Sequence, residues 1–289
     1  MAMQYGAFFP TRDMPADRVA IRDWAQAAEA LGFDYIEVSD HVVGADRDVI
    51  PGFEGPYDVD DSFHETFTTI AYMAAITENV GFASGVLILP QRQTALVAKQ
   101  AAQVDVLCGG RLRLGVGVGW NPVEYAALGE DWSKRGRKQE EQVQLMNRYW
   151  TERTVTFNGE FDQVAHAGIK PMPIQQPIPI WFGGGVDAVL RRAAKYGQGW
   201  IPLGNPGRSS MAMLEKLKGY LADEGRDPAS FGVEAWIRHN LGGPDDWRSA
   251  VDTWRDAGAS HATFYTSGQG VGGVDGQIAE MGKFMDAMK

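Results

Sequence analysis

The chain has 289 residues, 44% of them hydrophobic and 22% charged, with a formal net charge of −10. This composition supports a full core and excludes wholesale disorder, and its acidity argues against nucleic acid or an anionic membrane as a bulk partner, though not against an anionic ligand at one local site. MAMQYGAFFP has no basic region before a long apolar run, no apolar stretch reaches about 18 residues, and Cys108 is the only cysteine, so no signal peptide, no transmembrane helix and a cytoplasmic location are expected.

Strand-like and helix-like segments alternate along the chain. MQYGAFF reads as a first strand, and a helix over 16–31 stops at Gly32, a common place for a helix to end. YIEVS (35–39) is the second strand, followed by an acidic insertion rich in Gly and Pro at 45–62 and a helix over 64–77. VGFASGVLIL (80–89) is the third, ended by Pro90, with a helix over 94–107. LRLGVGVG is the fourth, followed by a short capped helix and a helix over 134–151. Residues 154–163 (TVTFNGEFDQ) alternate about Asn158-Gly159, a hairpin signal. PIPIWFGGG, GWIPL, GVEAWIR and HATFYTS hold strands five to eight, with helices over 188–196, 209–224, 245–257 and 277–288.

Eight β-then-α units predict an α/β fold: one closed (β/α)8 barrel over residues 1–289, with insertions after strand 2 and after helix 4. A doubly wound open sheet is the alternative. Loops that follow the strands form the active-site face of such a barrel, so 45–62 is a candidate lid.

The stretch GRLRLGVGVGWNPVEYAALG (110–129) carries the strongest local signal. It is not a dinucleotide fingerprint: counted from Gly117, the third glycine position falls on Pro122. Strand alternation puts Leu112, Leu114, Val116 and Val118 on one face and Gly115, Gly117 and Gly119 on the other, toward the barrel interior. Either a flat ligand lies over the bare strand end or a tight interior demands small residues. Arg113 shares the glycine face and must pair inside the barrel, unless a bulge shifts the register. Asn121, Pro122 and Glu124 read as a capping box beside this strand. Gly183, Gly184 and Gly185 precede the fifth barrel helix. Two neighbouring helix starts with bare glycine ends point to a phosphate between them.

His41 closes the second strand and is a candidate proton donor or hydrogen-bond donor to a cofactor, the alternative being a structural histidine. His239 follows the seventh strand and could line a substrate pocket, whereas His261 starts the eighth, on the stability face. The histidines share no ligand spacing, so no metal is expected. Cys108 reads as a buried bystander at a helix end, and Trp120, Trp181 and Trp236 stand near strand ends, where aromatics can wall a pocket.

ALGFDYIEVSDH, the 85–129 block and PIPIWFGGGVDAVLRRAAKYGQGW together resemble the bacterial luciferase-like oxidoreductases, nearest to members that use the deazaflavin coenzyme F420. The resemblance implies a barrel, usually dimeric, that binds a flavin or deazaflavin at the strand C-termini. It implies a non-prolyl cis peptide at Gly85-Val86, in a bulge supporting the ring, and places Asp40 and His41 near the ring. It also implies that Gly117, Gly119, Trp120 and Asn121 run along the ribityl chain and that Gly183, Gly184 and Gly185 form the phosphate turn. Where the sugar-phosphate dehydrogenases of the family carry a catalytic glutamate, this chain has Trp120, which argues for a more apolar pocket. The expectation is an F420-dependent hydride-transfer enzyme acting on a small organic molecule, with His41 as its proton donor or ring-orienting group. An FMN-dependent monooxygenase is the alternative, ahead of a non-redox barrel enzyme or a non-catalytic flavin-binding protein. Arg92, Arg191 and Arg192 are candidates for the polyanionic tail of F420.

Overall fold

The computed structural model describes residues 2–289. Nine parallel strands line one sheet: β1 (Gln4–Phe8), β2 (Tyr35–Val38), β3 (Gly81–Ser84), β4 (Leu87–Ile88), β5 (Leu112–Gly117), β8 (Ile180–Gly183), β9 (Gly199–Ile201), β10 (Gly232–Arg238) and β11 (His261–Tyr265). Between β5 and β8 lies an antiparallel hairpin of β6 (Val155–Asn158) and β7 (Gln163–Ala167), at the predicted place. Because β11 pairs with β1, and β5 pairs with both β3 and β4, the sheet closes on itself as an eight-position barrel. Closure sets aside the open-sheet alternative.

The outer layer comprises α1 (Arg18–Ala30), α2 (Thr66–Ala74), α3 (Thr94–Leu107), α4 (Pro122–Ala127), α5 (Arg135–Thr151), α6 (Asp187–Tyr196), α7 (Arg208–Asp223), α8 (Pro244–Asp256) and α9 (Gly273–Met288). Their starts follow local chemistry: Asp17 accepts from the Val19 amide at α1, and Glu65 from the Thr68 amide at α2. Two expectations shift. The third strand, expected as one run over 80–89, breaks into β3 and β4 where the Gly85-Val86 peptide is cis, the place the resemblance implied. The last helix begins at Gly273, a turn earlier than its apolar spacing showed.

Two cores result. The larger joins strands to helices through residues such as Phe9, Trp24, Phe82, Trp150, Trp247 and Phe264. The smaller, Phe8, Trp181, Ile201 and Trp236, lies inside the barrel. Trp181 is so large there that a Cβ at Gly199 or Gly232 would stand 2.2 or 2.1 Å from its ring, so both neighbouring strands carry glycine.

Arg113 pairs inside the barrel, with no register shift. Its guanidinium makes a salt bridge to Glu234 and lies between the rings of Tyr35 and Trp181, 4.5 and 4.2 Å from their centroids. Tyr35 donates a hydrogen bond to Glu234 at 3.1 Å. Glu37, also fully buried, accepts from the Trp236 indole at 3.2 and 3.3 Å. Burial first, and the Glu234 charge second, push the Glu37 carboxyl well above the usual carboxylate range, so at neutral pH it holds a proton against Glu234. Burial acts on Glu234 in the same direction, but Arg113 and its hydrogen bonds outweigh it and keep Glu234 ionised. His261 starts β11 with its ring 4.8 Å from that of Trp181, and burial, helped by Arg113, pushes its pKa down to about 3. Cys108 is buried at the end of α3 and its thiol is pushed up by burial, the opposite of what a nucleophile needs.

Candidate active site

A cavity of about 540 Å³ opens at the C-terminal ends of the strands, a size and place typical of small-molecule sites in barrels. Its floor is Val86. A Cβ on Gly117 would stand 2.5 Å from one Val86 γ-methyl, and a Cβ on Gly183 2.5 Å from the other. The bare faces of β5 and β8 therefore form a slot for Val86. That space is filled by protein, and the cavity begins above Val86. Of the two alternatives for the bare strand, a tight interior that demands small residues accounts for Gly117. Gly85 is required separately, because a Cβ there would meet the Glu37 carboxyl at 1.8 Å. Gly119 (φ +69°) and Gly184 (φ +123°) use backbone conformations open mainly to glycine, turning the chain away from the strand ends.

The slot predicts a reciprocal effect. Gly117→Val overpacks it and should cost about 1–3 kcal/mol of stability. Val86→Gly in the same chain should return much of this, because the intruding methyls gain the vacated space. Urea denaturation of the two single variants and the double variant checks this, and additive losses would refute the slot.

His41 lies at the end of β2 with its side chain 7% exposed. Its ring packs on Tyr57, Phe63 and Trp120, at centroid distances of 4.3, 5.0 and 6.0 Å. Nδ1 meets Glu124 Oε2 at 3.1 Å. Glu124 is fully buried and also accepts from the Val42 amide at 2.5 Å and from Gln91 Nε2 at 2.9 Å. Burial alone would raise the Glu124 carboxyl, yet the hydrogen bonds and the His41 contact together hold it below its usual range. It is thus a carboxylate and can only accept, so His41 Nδ1 carries the hydrogen and only Nε2 remains for the cavity.

The capping box is therefore half right. Asn121 caps α4, accepting from the Val123 and Glu124 amides at 3.0 and 3.4 Å. Glu124 does not reach back to Asn121; it turns inward to a richer set of donors. Sequence reasoning missed this partnership because the two residues lie 83 positions apart. The one available signal was a carboxylate on a short helix directly after the glycine strand.

Asp40 also borders the cavity, but its carboxylate accepts from Arg92 Nη2 at 2.6 Å, from the Ile88 amide at 2.9 Å and from Thr66 at 3.1 Å. It ties β2 to the segment after the bulge. Gly85, Gly119, Gly183, Gly184 and Gly185 line the cavity, as does Trp120, whereas the buried Asn121 is committed to capping. Trp120 donates its indole N–H to the Tyr57 hydroxyl at 2.5 Å, and Gly55 lies flat against its ring. The 45–62 insertion is thereby seated beside His41.

The arginines expected at the rim are occupied elsewhere: Arg92 on Asp40 and Glu65, Arg191 on Asp187, and Arg192 on Glu140. Arg12, Arg135 and Arg238 border the cavity instead. His239 faces outward, 3.2 Å from Glu280 on α9, and does not line the cavity.

A family model described as luciferase-like monooxygenase matches residues 3–261. The chain belongs to the luciferase-like monooxygenase family, and on that ground it is an oxidoreductase. It is 34% identical to an uncharacterized protein, Rv0940c, of Mycobacterium tuberculosis over 70% of this chain and 71% of that protein. It is 30% identical to an FMNH(2)-dependent dimethylsulfone monooxygenase of Pseudomonas putida, over 75% of this chain and 57% of the relative. Among solved structures, the monooxygenase RslO1 of Streptomyces bottropensis superposes with a TM-score of 0.81 at 19% identity, covering 99% of this chain and 98% of that one. An F420-dependent secondary alcohol dehydrogenase, in complex with an F420-acetone adduct, gives 0.81 at 18% identity, with all of both chains covered. These two likenesses speak for the fold. Among the described residues, no helix is long and apolar enough to cross a membrane.

Proposed function

We propose that this oxidoreductase binds a flavin-type ring over Val86 and acts on a small organic molecule packed against that ring, with F420 as the cofactor. The observation that carries the reading is the Val86 floor between Gly117 and Gly183, overlooked by His41. The residues fit such a group. The bare strand ends leave room for a flat body over the floor. At the β5 and β8 side, Gly184, Gly185 and the start of α6 border the cavity together with Arg135. Arg135 lies over the Trp132 ring at 3.6 Å with no carboxylate partner among the described residues, and its buried Nε lacks an acceptor. That end would hold a phosphate.

When bound, F420 supplies a hydride donor or acceptor carbon, and FMN would supply oxygen activation. The chain's own contribution is orientation and proton handling. His41 Nε2 takes or gives a proton at the cavity wall, and Glu124 stabilises the imidazolium. Tyr57, Phe63 and Trp120 keep water from that side of the ring. FMN is the second reading, favoured by the printed name of the Pseudomonas putida relative.

Titration of the purified protein with F420 and with FMN, followed by cofactor fluorescence, tests both. We expect saturable F420 binding. Binding of FMN alone would move the assignment to the second reading, and binding of neither would end the redox reading of this cavity.

A further inference from the structure

Arg238 ends β10, the strand across the barrel from β3 and its Val86 bulge. Its guanidinium borders the cavity, 4.8 Å from the centroid of the Tyr265 ring and 5.9 Å from that of Trp236. Among the described residues, no side chain or carbonyl accepts a hydrogen bond from it. Arg12 is neutralised by Asp61 and Arg92 by Asp40, and Arg135, also without a carboxylate, stands at the β5 and β8 side. In a chain with 37 acidic and 27 basic residues, a half-buried arginine without a carboxylate is a charge left for something else. The end of β10 is anchored, since the Arg238 amide donates to Asn205 Oδ1 at 3.3 Å.

The surroundings define what it would hold. Phe8, Val86, Leu203, Trp236 and Tyr265 give this part of the cavity apolar and aromatic walls. Burial keeps the Tyr265 hydroxyl protonated, so it adds no negative charge beside the guanidinium. A planar guanidinium beside aromatic rings offers a rigid fork of N–H donors, which matches a carboxylate. The phosphate end assigned above lies at β5 and β8, so a cofactor that fills it spends its phosphate there.

We propose that Arg238 binds the carboxylate of the substrate, making the substrate class an apolar or aromatic acid whose body lies against Phe8, Trp236 and Tyr265. The step from bound acid to substrate rests on the redox reading above. The binding itself does not, and it can be measured without cofactor.

The probes are benzoate and benzamide, which share shape and differ in charge, titrated calorimetrically and by quenching of tryptophan fluorescence. Wild-type protein should bind benzoate at least about tenfold more tightly than benzamide, a difference of about 1.4 kcal/mol. Arg238→Gln should erase the preference, Arg238→Lys should keep part of it, and Arg191→Gln, remote from the cavity, should leave it in place. Equal binding of the two probes by wild-type protein overturns the proposal whether or not the variants fold. So does a preference that survives Arg238→Gln, or one that Arg191→Gln removes. F420 and FMN titrations of Arg238→Gln form the other arm. An affinity loss of about tenfold or more there would assign the guanidinium to the cofactor and overturn the proposal. If wild-type protein binds neither cofactor, the redox reading fails while the benzoate result stands by itself.

Discussion

Arg113→Met should destabilise the barrel by about 3–5 kcal/mol, the range for breaking a buried ion pair from one side. The methionine fills much of the space between Tyr35 and Trp181, so the loss is mainly electrostatic. Glu234 would remain fully buried with its counter-charge gone, next to Glu37. The deficit should depend on pH. In the wild type, Arg113 holds the Glu234 carboxyl below its ordinary range. Without it, burial raises that carboxyl, and a group whose folded pKa is raised stabilises at low pH and loses that stability as pH rises. The gap to wild type should therefore be smallest in acid, below the lowered Glu234 value of the wild type, and widen by up to ~1.4 kcal/mol per pH unit until the raised carboxyl of the variant ionises. Urea denaturation between these limits reads the effect. Arg113→Met combined with Glu234→Met should recover most of the loss, since a matched apolar replacement removes both charges. A deficit that is flat with pH would mean that packing, not charge, gives Arg113 its importance.

His41→Ala should lower kcat/KM by roughly 10²–10⁴, the usual contribution of a positioned acid or base, once a turnover assay is in hand. Glu124→Gln should cost less, because a neutral amide can still meet Nδ1 but no longer stabilises the imidazolium. Glu124 acts through His41 and is a positioning residue, so a rate alone does not separate its role from a structural one. The discriminating measurement is the imidazole nitrogen spectrum. Wild-type protein should show the Nδ1–H tautomer of neutral His41, and Glu124→Gln a mixture, since an amide can either donate or accept. The Glu124 carboxyl is held low, so its contribution is present above pH ~4.3 and lost as pH falls through its folded value. An unchanged tautomer in Glu124→Gln would remove Glu124 from the site.

The barrel was legible because each βα unit announces itself locally. Apolar runs such as YIEVS and GVEAWIR have strand length, and Gly32, Gly109 and Gly258 mark where helices stop. The glycines of 110–129 likewise marked the end of β5 that borders the cavity. For Gly117 the reason for being glycine was hidden, because it is Val86, which comes from the bulge between β3 and β4. The same holds for Arg92, a free cation in the sequence that folding places on Asp40.

By itself, the sequence determined the α/β alternation, the places of the strand ends, the extra hairpin and the resemblance that names the family, all properties of contiguous residues. Tertiary structure alone decided which carboxylate holds His41, which arginines face the cavity, how Glu37 and Glu234 share one buried site, and that the bare strand faces receive Val86. The physical reason is range. Helix stops and strand alternation are set within a few residues, whereas a charge or a methyl group acquires its role from whatever lies within about 4 Å of it. In a closed barrel those neighbours come from strands far apart in the chain.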